Sequence, residues 1–315
     1  TPMSGAYRRR GADPPLRDPG GHHGVPMEGY YWRIAHRPSG RVVVALCGVL
    51  SGHAGAGGLV AVSGSPGADV RSVVAPEVAT HPRRLDLDAG VLRGTADALH
   101  VRVEDAAVEA AFAERRTWPR VLGGLGGAHL VPGLGQYWHP VLLGARVTGW
   151  AELGGGRIDL DGASAYIEKN WGPAFPERWW WGQALEVGGA DVCVAFAGGL
   201  LRAGPIAAAA TGLVVRIEDR VIRMVPPGAV VRAWVDGRVW RLRAIGPRTT
   251  IDLVAEPGVD PPAHLPVPAP RDGGPLGPVH QHLRGRLRVR VRRGRRLLID
   301  GTSELAGLEF GDVAA

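Results

Sequence analysis

The chain has 315 residues, 45% of them hydrophobic and 21% charged, with a formal net charge of +7. This balance predicts a soluble globular protein of one large domain or two of about 150 residues. Cys47 and Cys193 form no CxxC pair, which excludes a disulfide scaffold and fits a reducing, cytoplasmic compartment. No apolar run is long enough for a transmembrane helix, and no leader precedes the chain from Thr1, so no signal peptide is expected.

The positive charge comes almost entirely from arginine. It could indicate an acidic partner, but we attribute it to arginine-rich codon usage. Aromatic residues are not interleaved with the basic strand near the C terminus, which argues against nucleic-acid binding.

Short strands fill the N-terminal half. Residues 1–27 are polar, rich in Gly, Pro and Arg, and predict an extended arm. Residues 106–116, AAVEAAFAERR, are the one place where propensity favours a helix. The remaining segments are short, bounded by turn residues, and several alternate with period two, which predicts strands at 27–34, 41–50, 59–64, 69–75, 83–90, 99–105 and 136–144.

The C-terminal half repeats this pattern. A hairpin is predicted from 145–153 and 157–168 around three glycines, and further strands fill 178–256. After a Pro-rich link at 257–278, a strand carries a row of alternating arginines: Arg284, Arg286, Arg288, Arg290 and Arg292. This row is either a solvated outer face or a contact with an anionic lipid surface. The many short strands predict an all-β protein, either a barrel or a sandwich.

Signatures of common cofactor sites are absent. The single lysine, Lys169, is not in a Walker A loop, and no serine lies in a GxSxG motif. Lys169 could form a Schiff base, but nothing else indicates a cofactor. His280 and His282 would face the same side of a strand, yet no third metal ligand is evident. We therefore expect neither a metal nor a cofactor.

One segment concentrates rare residues. Residues 165–183, AYIEKNWGPAFPERWWWGQ, hold four of the ten tryptophans, the only lysine and the only asparagine, Asn170. We call it the lone-lysine segment. Chance accounts for one rare residue more easily than for the combination of two rare residues, a carboxylate and a tryptophan cluster in one short segment.

Five blocks of this chain resemble the tocopherol cyclase family. They are TPMSG (1–5), MEGYYWRI (27–34), VPGLGQYWHPVLLG (131–144), YIEKNWGPAFPERWWWGQA (166–184) and SELAGLEFG (303–311). The resemblance implies two lipocalin-like β-barrel domains, which we expect at 1–148, with the N-terminal arm, and at 149–315, with the EKNWG and RWWW motifs. It also implies cofactor-free closure of a prenylated quinol to a chromanol.

That reaction can be matched to residues of the lone-lysine segment. It needs a carboxylic acid whose pKa is raised by an apolar pocket, aromatic walls that stabilise a tertiary cation, and a prenyl tail folded over the ring. Glu168 is the predicted acid, and Tyr166 and Asn170 would orient the substrate. In a strand these three residues share one face, whereas Lys169 points the other way and would pair with a second carboxylate. Likewise Trp180 must face away from Trp179 and Trp181.

Alternatives for the acid remain open. Glu28 is the rival, with Tyr30 and Trp32 on its face, and Asp300 and Glu304 are further candidates. Glu168 could instead be a structural carboxylate tied to Arg178. The predicted catalytic residues are Glu168, Lys169, Asn170 and Glu28, and the predicted substrate-binding residues are Tyr30, Trp32, Tyr137, His139, Tyr166, Trp171, Trp179, Trp181 and Gln183.

The expected function is therefore a cofactor-independent prenylquinol cyclase. Its expected partner is a hydrophobic prenylquinol or other isoprenoid, with peripheral contact to an anionic membrane and no nucleic acid. Two alternatives remain: a hydratase of an isoprenoid double bond, and a non-catalytic lipocalin-like carrier of prenylquinones.

Overall fold

The computed structural model describes residues 2–52, 55–67, 69–119, 121–173, 175–203, 206–268 and 275–312. Regular structure in these ranges is almost entirely β, and the strands pair antiparallel in two large sheets. One short helix, α1 (Pro2–Arg8), and two 3-10 helices, Gly126–Leu130 and Val187–Gly189, complete the elements. The prediction of an all-β chain built from two lipocalin-like barrel units is confirmed.

Over the described residues, the first sheet contains thirteen strands. One of its strands contains residues 165–172 of the lone-lysine segment and pairs with the first strand of the chain. The strands are β1 (Met27–His36), β2 (Arg41–Gly52), β3 (Gly55–Ser65), β4 (Arg71–Ala75), β5 (Ala79–Thr80), β6 (Asp86–Asp88), β7 (Leu92–Thr95), β8 (Ala98–Val103), β9 (Ala106–Ala113), β10 (Tyr137–Leu142), β11 (Arg146–Leu153), β12 (Gly156–Asp159) and β13 (Ser164–Gly172).

In the part of the chain that the structure describes, the second sheet contains ten strands, and the last of them in sequence lies beside the first. The strands are β14 (Arg178–Leu185), β15 (Val192–Ala203), β16 (Ile206–Ile217), β17 (Arg220–Met224), β18 (Val230–Val235), β19 (Trp240–Ile245), β20 (Thr249–Glu256), β21 (Ala263–Pro268), β22 (Pro275–Arg293) and β23 (Arg296–Asp312).

Each sheet encloses its own hydrophobic core. Trp32 lies in the first core, and Trp180 and Trp240 lie in the second. Burial alternates residue by residue along β19 and β20, as expected when one face of a strand packs inward and the other meets solvent. A third cluster, which includes Tyr31, Tyr166, Trp181 and Leu283, joins residues of both sheets.

The predicted domain boundary at 148/149 does not coincide with the change of sheet. That position falls inside β11, which pairs with β9 of the first sheet. The sheets change between Gly172 and Arg178 instead. The lone-lysine segment is thereby divided, because its EKNWG motif pairs with β1 and its RWWW motif pairs with β23.

Two local predictions are wrong. The segment at 106–116 is not helical, because its residues 106–113 form β9, paired on both sides, and strand pairing overrides the helix propensity of alanine. The N-terminal arm is not simply extended, because it begins with α1 and is anchored by buried polar residues. Arg8 donates to the carbonyl of Gly21 at 2.8 Å, and Asp13 lies 2.8 Å from His23.

The arginine row of β22 lies on the outer face of the second sheet, where it meets carboxylates of β23. Arg288 and Arg290 both bind Asp300, and Arg286 binds Glu304. In the described ranges, no helix has the length and apolar character needed to cross a membrane.

Candidate active site

A cleft lies between the two sheets, and we call it the inter-sheet cleft. The first sheet contributes residues of β1, β2, β10 and β13, and the second contributes residues of β14, β15, β16, β21, β22 and β23. Its wall is rich in aromatic side chains: Tyr30, Tyr31, Tyr137, Trp138, Phe175, Trp179, Trp180 and Trp181.

Six of the predicted site residues line this cleft: Tyr30, Tyr137, Glu168, Asn170, Trp179 and Trp181. The other seven do not: Glu28, Trp32, His139, Tyr166, Lys169, Trp171 and Gln183. Tyr166 still contacts the site, because its hydroxyl donates to Glu168. Trp32 belongs to the first core, and Trp171 stacks on Tyr137 in a separate small cluster. His139 packs edge-on against Trp118.

Glu168 is held by a convergent set of donors. The Tyr166 hydroxyl lies 2.7 Å from Oε2, and the indole N–H groups of Trp138 and Trp181 each lie 2.8 Å from the same oxygen. Burial raises the pKa of Glu168, and the three hydrogen bonds act in the opposite direction. The structural alternative that tied Glu168 to Arg178 is wrong, because Arg178 lies near Asp312 at the surface.

A second carboxyl, the half-buried Glu309 of β23, lines the cleft from the other sheet. Trp179 donates its indole N–H to Oε1 at 2.6 Å, and Gln281 donates its amide N–H to Oε2 at 2.9 Å. Burial raises the pKa of Glu309 to about 7; the charge of Glu168 adds to this rise, while the two hydrogen bonds oppose it. The Tyr31 hydroxyl donates to Gln281 at 2.7 Å and extends the network into β1.

Asn170 presents an unpaired acceptor at the cleft. Its Oδ1 atom is buried without a hydrogen-bond partner. Gly29 of the neighbouring strand makes this position possible, since a Cβ there would lie 2.7 Å from that oxygen. A buried amide oxygen is costly to leave unpaired, so a ligand hydroxyl would satisfy it well.

Lys169 points away from the cleft, as the strand alternation predicts, and forms an ion pair with Glu28. Their Nζ and Oε2 atoms lie 2.6 Å apart, and both side chains are fully buried. Although burial alone would raise the pKa of Glu28, Lys169 and His22 together lower it well below its usual range. Glu28 therefore stays ionised and holds no proton for an alkene near neutral pH.

Gln183 contributes to the contact between the sheets rather than to the cleft. Arg33, buried in β1, donates to its amide oxygen at 3.2 Å. The same guanidinium donates to the carbonyls of Leu283 and Leu305 at 2.8 and 2.7 Å. Because β1 belongs to the first sheet and these acceptors to the second, Arg33 fixes the two walls of the cleft relative to each other.

Sequence reasoning did not identify Glu309, Gln281, Tyr31 or Trp138. Glu309 lies in the SELAGLEFG block, four residues after Leu305. Because side chains alternate along a strand, the sequence places Glu309 on the same face as Leu305. Gln281 stands between the two histidines that were considered as metal ligands. His280 instead stacks on His264 at 4.5 Å, and no group of three metal-binding side chains occurs in the described part of the chain.

A sequence profile of the tocopherol cyclase-like family matches residues 132–312. A chloroplast tocopherol cyclase of Zea mays is 39% identical over 70 residues, which span 22% of this chain and 15% of the maize protein. Two solved structures share the fold. Kievitone hydratase from Nectria haematococca has a TM-score of 0.54 at 12% identity, covering 92% of this chain and 90% of its own. CghA has a TM-score of 0.57 at 13% identity, covering 90% and 86%.

Proposed function

Because this chain belongs to the tocopherol cyclase-like family, we propose that it closes a prenylated quinol to a chromanol in the inter-sheet cleft. One observation carries the proposal: two carboxyls with raised pKa, the buried Glu168 and the half-buried Glu309, line one aromatic-walled cleft. Perturbed carboxyls in such a cleft are what acid catalysis near neutral pH requires.

The reaction begins with protonation of the prenyl double bond. This step forms a tertiary cation, which must persist until the phenol oxygen attacks it. Trp179, Trp181 and Tyr31 line the cleft, and a desolvated aromatic face stabilises a cation by about 2 kcal/mol. The same walls bind the prenyl tail by burying apolar surface.

Ring closure also requires the quinol to be held beside the folded tail. The free Oδ1 atom of Asn170 can accept a hydrogen bond from a quinol hydroxyl. Such a bond fixes the ring within reach of the cation, and holding the two reacting ends together lowers the barrier through proximity. Mutation of Asn170 should therefore affect binding of a quinol more than binding of a simple isoprenoid.

The proton donor is one of the two cleft carboxyls. Glu168 is the acid predicted from the sequence, and Glu309, on the opposite wall, is the other candidate. Glu28, the rival in the sequence-based prediction, is bound to Lys169 outside the cleft and stays ionised.

Incubation with a panel of reduced prenylquinones, followed by chromatography and mass spectrometry, tests the function. A cyclase produces a new compound with the mass of the quinol. A product heavier by one water would show a hydratase, and tight binding without any product would show a carrier; both results contradict the proposal. For variants of the two cleft carboxyls, Glu304→Gln is the matched control. Glu304 lies on β23, but its side chain is exposed and pairs with Arg286.

A further inference from the structure

The two cleft carboxyls differ in their hydrogen-bonding environments. All three donors to Glu168 converge on Oε2, whereas Glu309 receives one donor on each oxygen. Donated hydrogen bonds stabilise a carboxylate more than a neutral acid, because the ionised oxygen is the stronger acceptor. The negative charge is therefore better stabilised on Glu168 than on Glu309.

The two groups also influence each other across the cleft. Glu309 lies in register with Trp181, whose indole donates to Glu168. The charge of Glu168 is among the causes that raise the pKa of Glu309 to about 7, after burial. Two carboxyls that interact electrostatically in one cavity favour a state in which the pair holds a single proton. The hydrogen bonds direct that proton to Glu309.

We infer that Glu309 is the carboxylic acid that protonates the prenyl double bond and that Glu168 is the carboxylate that accepts the phenol proton. This inference rests on the proposed function and assigns its two catalytic roles. It reverses the role predicted for Glu168 from the sequence and adds a catalytic residue.

The atoms balance over one turnover. The O–H bond of Glu309 breaks as a C–H bond forms at the prenyl chain, and the π bond is lost. The phenol oxygen then bonds to the tertiary carbon, and its proton passes to Glu168. The product is an isomer of the quinol. Glu168 returns its proton to solvent and Glu309 regains one, which restores the starting state without any co-reactant.

A blocked substrate separates the two roles. In a prenylated hydroquinone methylated on the oxygen next to the prenyl chain, ring closure cannot occur, but protonation of the double bond can. Reversible protonation in D₂O then exchanges prenyl hydrogens for deuterium. The wild-type chain should catalyse this exchange, Glu309→Gln should lose it by at least about 100-fold, and Glu168→Gln should retain it within about tenfold. Both variants should lose cyclisation of the free quinol.

Controls keep the outcome interpretable. Melting temperature and affinity for the blocked substrate establish folding and binding, and Glu309→Asp, which keeps a carboxyl, should restore part of the exchange. Loss of exchange in Glu168→Gln alone, in both variants or in neither would overturn the assignment of roles. If the wild-type chain neither cyclises the quinol nor exchanges the blocked substrate, the proposed function itself fails, which is a different result.

Discussion

Replacing Lys169 by methionine should destabilise the fold without changing the chemistry of the cleft. Lys169 and Glu28 lie 2.6 Å apart, and neither side chain reaches solvent. At an effective dielectric constant of about 20, their attraction is about 6 kcal/mol, part of which offsets the desolvation of both ions. Removing one partner leaves the other charge buried, and such changes cost about 3–5 kcal/mol.

Urea unfolding of a double-mutant cycle measures this effect. Lys169→Met and Glu28→Gln should each lower the free energy of unfolding by about 3–5 kcal/mol, and the double variant should lose much less than the sum. Turnover per folded molecule should stay near that of the wild type. Arg286→Met, which breaks an exposed pair with Glu304, is the control and should cost no more than about 1 kcal/mol.

Two results would refute this reasoning. Additive single effects would show that the two charges do not stabilise each other. Loss of turnover in a folded Lys169→Met variant would return Lys169 to the catalytic group in which the sequence placed it.

Four further predictions concern the cleft and the surface. Turnover should fall as pH rises through about 7, because Glu309 loses its proton. The tyrosines and Cys47 of the cleft have raised pKa values and stay neutral over this range. A flat profile from pH 5 to 9 would contradict this prediction. The pKa of Glu309 in the folded chain exceeds its ordinary value. Its contribution to stability is therefore complete at pH values below the ordinary pKa and is lost as pH rises through about 7, and melting temperatures at several pH values check this. Asn170→Ala should raise KM for the quinol about tenfold with a smaller change in kcat, as expected for loss of one hydrogen bond, and an unchanged KM would remove its orienting role. The arginines of 284–292 should give weak, salt-sensitive binding to anionic vesicles, since screening at 0.1 M salt acts within about 10 Å; equal binding to neutral vesicles would show a purely solvated face.

Persistence of turnover after EDTA treatment and dialysis is a separate expectation. Both steps of the proposed reaction use carboxyl groups of the chain, Glu309 and Glu168. Activity recovered only after addition of a metal ion would show that these groups do not suffice.

The β character of the chain and the faces of its key strand followed from alternation alone. Period two correctly separated Glu168 and Asn170 from Lys169. Trp180 packs into the second core, as alternation predicts, but it also lines the cleft together with Trp179 and Trp181. These predictions succeed because side chains in a strand point to alternate sides whatever the partner strand is.

Pairing between distant strands could not be derived in the same way. Glu309 and Glu168 are 141 positions apart in the sequence and line one cleft only because the two sheets pack against each other. The partner of Lys169 was likewise expected to be a carboxylate, but only the register of β1 with β13 identifies it as Glu28. Alanine-rich β9 shows the same limit, since its partners decided its conformation.

The central claim is that a carboxyl of this chain transfers its proton to a carbon of the prenyl double bond, after which the quinol closes its ring. Cyclisation in D₂O tests it directly. The purified chain is equilibrated in D₂O and given a reduced prenylquinone, and the product is returned to H₂O before mass spectrometry. The account predicts a chromanol that retains one carbon-bound deuterium in the former prenyl chain. A chromanol without carbon-bound deuterium, or no chromanol at all, would contradict it.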